Sequence, residues 1–188
     1  MGRGAQSLAR VAVIVRAGAA PLWWPGLIAA VVGALVPGLT GRRIGLLAGA
    51  ALFLITAAVV ALVRNRRYTA LAEAATRAAR ADFLQDRAVT VRNWRRARRR
   101  WLLAAFLVAV ASGFVLPGAG GLMLAGAGAG LWIKAVAIGR RERAADVLYW
   151  VRTDLVEKGR PAGEQVEAYR TTGPMAGDAA PGGARRHR

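Results

Sequence analysis

Long apolar runs alternating with dense blocks of arginine constrain this chain most. The stretch Arg64–Arg100 holds twelve arginines against three acids, Glu73, Asp82 and Asp86. It lies between two pairs of apolar segments, and an apolar run of about 18 residues or more can cross a bilayer. A basic loop between such segments is retained on the cytoplasmic side. One stretch therefore sets the expected topology and also supplies an anion-attracting surface. A net charge of +18 in a chain that is 55% hydrophobic is hard to reconcile with one soluble core. It is natural if grease and charge are segregated, the first in lipid and the second at its edge.

The same composition excludes several chemistries. Cysteine is absent, the one histidine is His187, and serine occurs only as Ser7 and Ser112. Thiolate metal sites, histidine metal sites and nucleophile–base pairs have almost nothing to use. No acid lies between Met1 and Val63 or inside any apolar run. The expectation is a protein that is not an enzyme, with no cofactor, no metal and no catalytic residues.

Six segments follow in order. Residues 1–20, with Arg3, Arg10 and Arg16 around the apolar Val11–Val15, predict a cytoplasmic, partly interfacial helix. Residues 21–63 predict a membrane hairpin, with spans at about Leu22–Thr40 and Ile44–Val63 broken by Pro37-Gly38. Gly41, Gly45 and Gly49 fall four apart on one face, which lets a neighbouring backbone approach. Packing against the first span of the same hairpin is the expected use of that face.

Residues 64–100 contain neither Gly nor Pro. Tyr68, Leu71, Ala75, Ala79 and Phe83 keep helical spacing, so the segment predicts a helical hairpin bent near residues 85–90. Residues 101–138 predict a second membrane hairpin, turned by Pro117-Gly118, whose last span carries Gly126 and Gly130 as a packing face. Lys134, the one ionisable residue within a span, is expected to snorkel to the cytoplasmic edge beside Trp132. Residues 139–159 predict an amphipathic helix with Ala144, Val147, Leu148, Val151 and Leu155 on one side. Residues 160–188, rich in Gly, Pro and Ala toward their end, predict a disordered tail with His187 solvated.

The expected fold is thus an all-α integral membrane protein with four transmembrane helices in two Pro-Gly-turned hairpins. Both termini face the cytoplasm and the location is a bacterial inner membrane. The two hairpins can be aligned through Pro37-Gly38-x-x-Gly41 and Pro117-Gly118-x-x-Gly121, as a duplicated two-span unit would allow.

Arg92, Arg95, Arg96, Arg98, Arg99 and Arg100 are the candidate polyanion- or lipid-binding residues. The twelve arginines of the connector, with Trp94, Trp101 and Tyr68 interleaved, can hold phosphates without reading sequence. The same charges also bind anionic inner-leaflet lipid. Candidate partners are therefore anionic lipid, duplex DNA held non-specifically, a DNA-translocase or other cytoplasmic protein, and further copies of the chain in a homo-oligomer.

In hydropathy, span number and charge layout over residues 1–158, the chain resembles the plasmid spread (Spd-type) membrane proteins of mycelial actinobacteria. That resemblance implies an accessory role beside a DNA-translocase in moving plasmid DNA between hyphal compartments. It carries no site residues with it. Two other readings stand beside it: a membrane scaffold that docks a cytoplasmic protein, and an oligomeric, holin-like pore.

Overall fold

Proline and glycine punctuate the helices where the sequence places them, but the charged segments fold unlike the apolar ones. The computed structural model describes residues 7–156 and 160–186. In chain order its elements are β1 (Ser7–Arg10), α1 (Val11–Ala17), α2 (Ala19–Leu35), α3 (Arg42–Leu62), α4 (Asn65–Glu73), β2 (Thr76–Arg77), β3 (Phe83–Leu84), α5 (Arg87–Ala111), α6 (Ala119–Ala144), β4 (Leu148–Arg152), β5 (Arg170–Thr172), β6 (Ala179–Ala180) and β7 (Ala184–Arg185). Two compact units result. One, the helical unit, comprises Gly18–Val63 and Arg95–Ile133. The other, the sheet unit, gathers residues up to Ala17, Arg64–Trp94 and Lys134 onward.

Among the described residues, three helical stretches are long and apolar enough to cross a membrane: Val11–Leu35, Arg42–Glu73 and Ala119–Ala144. The fourth expected span differs. Helix α5 contains eleven apolar helical residues, Trp101–Ala111, before a 3-10 turn at Ser112–Phe114. In the helical unit the two Pro-Gly turns lie side by side. Leu39 N–H donates to the Phe114 carbonyl at 2.9 Å and Thr40 N–H to the Val115 carbonyl at 3.3 Å. The Thr40 hydroxyl adds a 2.8 Å bond to the same Val115 oxygen. These bonds satisfy backbone groups that the broken helices leave open.

The sheet unit departs from the all-α expectation. Its five-stranded sheet has the order β2-β5-β4-β1-β3. Strand β1 pairs antiparallel with β4, Leu8 opposite Arg152 and Arg10 opposite Trp150, and parallel with β3, Ser7 opposite Phe83. Strand β5 pairs antiparallel with β4 and parallel with β2. The outermost strands, β2 and β3, are separated in sequence by residues 78–82 alone. A flat five-stranded sheet sets its edges about 19 Å apart, close to the full reach of that linker, roughly 20 Å. The linker also turns, with Asp82 N–H bonded to the Ala79 carbonyl and Ala79 N–H to the Asp82 carboxylate. The sheet must therefore curl strongly. Leu8, Leu148 and Trp150 fill the curl, with Ala78, Leu84 and Ala176 packed against them.

Several expectations are corrected here. The connector 64–100 is not a helical hairpin: α4 stops at Glu73, and residues 76–77 and 83–84 are strands at opposite sheet edges. Tyr68 and Leu71 are buried as their spacing predicts, but Phe83 is 67% exposed. The helix expected over 139–159 ends at Ala144. Asp146 takes a left-handed φ of 50°, and Leu148-Tyr149-Trp150-Val151 continues as a strand buried on both faces. Aromatic and β-branched side chains suit that role as well as a helical one.

Helix α1 is also no interfacial helix. Its six apolar residues are all buried, because the turn Pro181-Gly182-Gly183 closes over it. Gly182 and Gly183 have φ of 79° and 70°, and a Cβ on Gly183 would sit 2.8 Å from the Ala12 carbonyl carbon. Only glycine meets both demands. The stretch read as a disordered tail thus carries β5, β6, β7 and this turn over residues 160–186. Arg3, Lys158, Gly159 and His187 lie outside the described residues.

Candidate functional site

Helix α5 is built from a sequence whose charged and bulky residues separate by helical spacing. Arg92, Arg95, Arg96, Arg99 and Arg100 follow the i, i+3, i+4, i+7, i+8 pattern that defines one helical face. All five are exposed, whereas Val91, Trp94 and Arg98, on the other side, are half-buried. Among the described residues no carboxylate pairs with the five. Arg98 differs from its neighbours in exposure and has a partner of its own. One turn on, Trp101, Leu103, Leu107 and Val108 are 57–69% exposed. A cationic stripe followed directly by an uncovered apolar surface is the pattern of a helix entering a bilayer edge. Chemically it is a row of forked donors at about one helical turn's spacing, able to hold successive phosphates or headgroups.

The expected glycine faces are used within the chain, but not as expected. Helix α6 carries two of them. On one, Gly126 faces the Phe53 backbone and Gly130 faces Ala57 and Val60, so a Cβ at either would lie 2.5 or 2.6 Å from a backbone oxygen of α3. On the other, Gly121, Ala125 and Gly128 receive α2 at Ala30, Gly26 and Trp23. Trp23 also meets Phe53 edge-on at 6.0 Å between ring centroids. Gly45 and Gly49, expected to meet the first span, instead face Pro117, Ala119 and Leu122. Gly41 has nothing within 4 Å of a notional Cβ and stands as the residue before α3. The reason is the 3.6-residue period: α6 holds small residues on two sides, so it, and not α2, is the helix that both neighbours can approach.

Lys134 does not reach outward. It is 9% exposed, with its Nζ 5.5 Å from the centroid of the Tyr68 ring. Such a cation–π contact is worth more when desolvated.

One arrangement had no sequence signal at all. Arg10 and Glu142 are 2% and 1% exposed and form a buried ion pair, Arg10 Nη2 to Glu142 Oε2 at 3.2 Å. Arg10 Nη1 also donates to the Ala179 carbonyl. Glu142 accepts from Gly182 N–H at 2.8 Å and Tyr149 N–H at 3.3 Å. Three stretches far apart in sequence, at Arg10, Glu142–Tyr149 and Gly182, meet at one carboxylate. In the sequence, Glu142 reads only as one acid in Arg140-Arg141-Glu142-Arg143. The neighbouring Tyr149 hydroxyl has its pKa pushed up by burial and by the Glu142 charge, and burial pushes Tyr169 up as well.

Set against protein-family models, curated proteins and solved structures, the chain matches none of them, so its reading rests on this geometry.

Proposed function

We propose that the chain is a four-span inner-membrane protein, not an enzyme, whose basic cytoplasmic face holds duplex DNA as an accessory to plasmid transfer. The observation that carries the polyanion role is the exposed stripe Arg92, Arg95, Arg96, Arg99 and Arg100, unpaired with any described carboxylate. The resemblance to plasmid spread proteins supplies the choice of DNA.

The crossing number draws support from the sheet. Strand β1 precedes the first apolar helix, β2 and β3 follow α3, and β4 follows α6, yet all belong to one sheet. They must lie on one side of any bilayer, because a ladder cannot pair through it. The number of crossings between Arg10 and Thr76 is then even, and so is that between Leu84 and Leu148. Helices α2 and α3 fill the first interval. In the second, α6 needs a partner, which residues 101–114 supply as eleven α-helical residues and one 3-10 turn, roughly 23 Å in all against a hydrocarbon core of about 30 Å. Arginines snorkelling before Trp101 make up the difference. The surplus of arginine in the sheet unit favours the cytoplasm for that side.

The test is retention of duplex DNA by the full-length protein in neutral detergent, across salt concentrations. The variant carries Gln at Arg92, Arg95, Arg96, Arg99 and Arg100. The native protein is expected to hold DNA near 0.15 M salt. Loss of five phosphate contacts flattens the log–log salt dependence by about 4.5. Retention that vanishes well below that salt, or that is unchanged by the five substitutions, refutes the DNA reading and leaves the stripe as a lipid anchor.

A further inference from the structure

A second group of cations sits within the sheet unit. Arg64 breaks the helix between α3 and α4 with a left-handed φ of 59°, a conformation that an arginine rarely adopts. Strained backbone of this kind persists where surroundings enforce it, often at functional sites. Its Nη1 donates to the Ala162 carbonyl at 3.3 Å. Arg67 Nη2 donates to the carbonyls of Gly163 at 2.8 Å and Glu164 at 3.1 Å. Lys134 lies over the Tyr68 ring. The partners of Arg64 and Arg67 are neutral carbonyl oxygens, which offset no positive charge.

Two donors in the same group are left over. Arg67 Nε and the Tyr169 hydroxyl are buried and meet no hydrogen-bond partner among the described residues. Tyr169 is 1% exposed and cannot easily turn away. Its N–H donates to the Leu71 carbonyl and its carbonyl accepts from Thr76 N–H at 2.9 Å, which ties it to α4, the helix that carries Arg67 and Tyr68. Leaving two such donors unpaired costs free energy that an acceptor would recover. Both elements that deliver the cations arrive from exposed apolar stretches. Leu62 and Val63 (68% and 49% exposed) precede Arg64, and Trp132 and Ile133 (53% and 51%) precede Lys134.

We propose that Arg64, Arg67, Lys134 and Tyr169 form a phosphate-binding site, suited to the headgroup of an anionic phospholipid. The proposal rests on the membrane reading above, but not on the α5 stripe. Three cations and a phenol donor match the charge and acceptor oxygens of a phosphate, and the apolar residues directly before Arg64 and Lys134 in sequence suit both to headgroup depth.

The experiment is thermal unfolding of the full-length protein in neutral detergent with added phosphatidylglycerol, phosphatidylcholine or inorganic phosphate. Phosphatidylglycerol is expected to raise the midpoint, and phosphatidylcholine not. A rise with inorganic phosphate as well assigns the site to the phosphate group alone; a rise with phosphatidylglycerol only assigns it to the lipid. The Tyr169→Phe variant removes an unpaired hydroxyl, so its midpoint without ligand should hold or rise. Its half-saturating phosphatidylglycerol concentration should increase about tenfold or more. Arg67→Gln should do the same; should it fail to fold, Tyr169→Phe still decides. The five-Gln stripe variant must keep the response, whatever its DNA retention. No stabilisation by either phosphate source, an unaltered response in Tyr169→Phe, or a response lost with the stripe overturns the proposal.

Discussion

The helical and sheet units are made of one chain and held by opposite means. The helical unit packs glycine against backbone. Gly126, Gly130, Gly121 and Gly128 let three helices touch, and each contact is short-range dispersion between small residues. Its side chains point outward, with Leu54, Leu62, Leu103 and Val108 59–69% exposed. The sheet unit is packed conventionally, around Leu8, Leu148 and Trp150 and one buried ion pair. The first fold is written in spacing along the chain, the second in partners brought from far away. A change that leaves an element's local sequence intact can therefore destroy the second and spare the first.

Glu142→Ala tests that contrast most severely. It leaves the Arg10 guanidinium buried without a counter-charge, which costs about 3–5 kcal/mol. Amide exchange in β1 and β4 should accelerate while the amides of α2 and α3 stay protected. Replacing both partners, Arg10→Met with Glu142→Leu, should restore much of the loss. If the helices lose protection together with the strands, the units are not separable in stability and the contrast fails.

A smaller effect is expected in the helical unit. Gly126→Leu drives a side chain into the Phe53 backbone and should destabilise by about 1–3 kcal/mol. Gly41→Ala, where a Cβ meets nothing, should change stability by less than about 0.5 kcal/mol. Unfolding in mixed micelles distinguishes the two. Equal effects would mean that glycine contact does not hold this unit.

Alkali should separate the units more gently. All three tyrosines, Tyr68, Tyr149 and Tyr169, belong to the sheet unit. Burial is the largest cause that raises the pKa of Tyr149 and Tyr169; Glu142 adds to it at the first, Tyr68 at the second, and Arg141 and Arg67 respectively oppose it. In the unfolded chain these phenols ionise near their ordinary pKa of 10.0, while in the folded unit they stay protonated. The stability they confer is complete below pH 10 and falls as the pH rises above it, toward the folded values. Near-ultraviolet dichroism of the tyrosines should weaken from about pH 10 upward before helical far-ultraviolet signal is lost. Simultaneous loss would again join the two units.

Legibility follows the same line. The breaks at Pro37-Gly38 and Pro117-Gly118, and helix α3 over nearly its expected extent, were readable because each depends on residues a few positions apart. Of the six arginines singled out on α5, five are exposed on one face, and the sixth, Arg98, is half-buried on the other. The sheet was not readable. Strands β2 and β3 are two residues each, embedded in an Ala- and Arg-rich stretch with good helix propensity, and their partners lie at residues 170–171 and 7–8. The 144–155 spacing fits a helix and a doubly buried strand equally, and only the arrival of β1 and β5 on either side decides for the strand.

By itself, then, the sequence determined the segregation of apolar and charged segments, the helix breaks and the basic face, because these depend on composition and short periods. Tertiary structure alone decided that residues 7–10, 76–77, 83–84, 148–152 and 170–172 form one curled sheet, that Glu142 gathers Arg10, Tyr149 and Gly182 around it, and that α6 is the helix both neighbours approach. Those outcomes depend on which distant surfaces meet, and hydrogen bonds and close packing are satisfied only once they do.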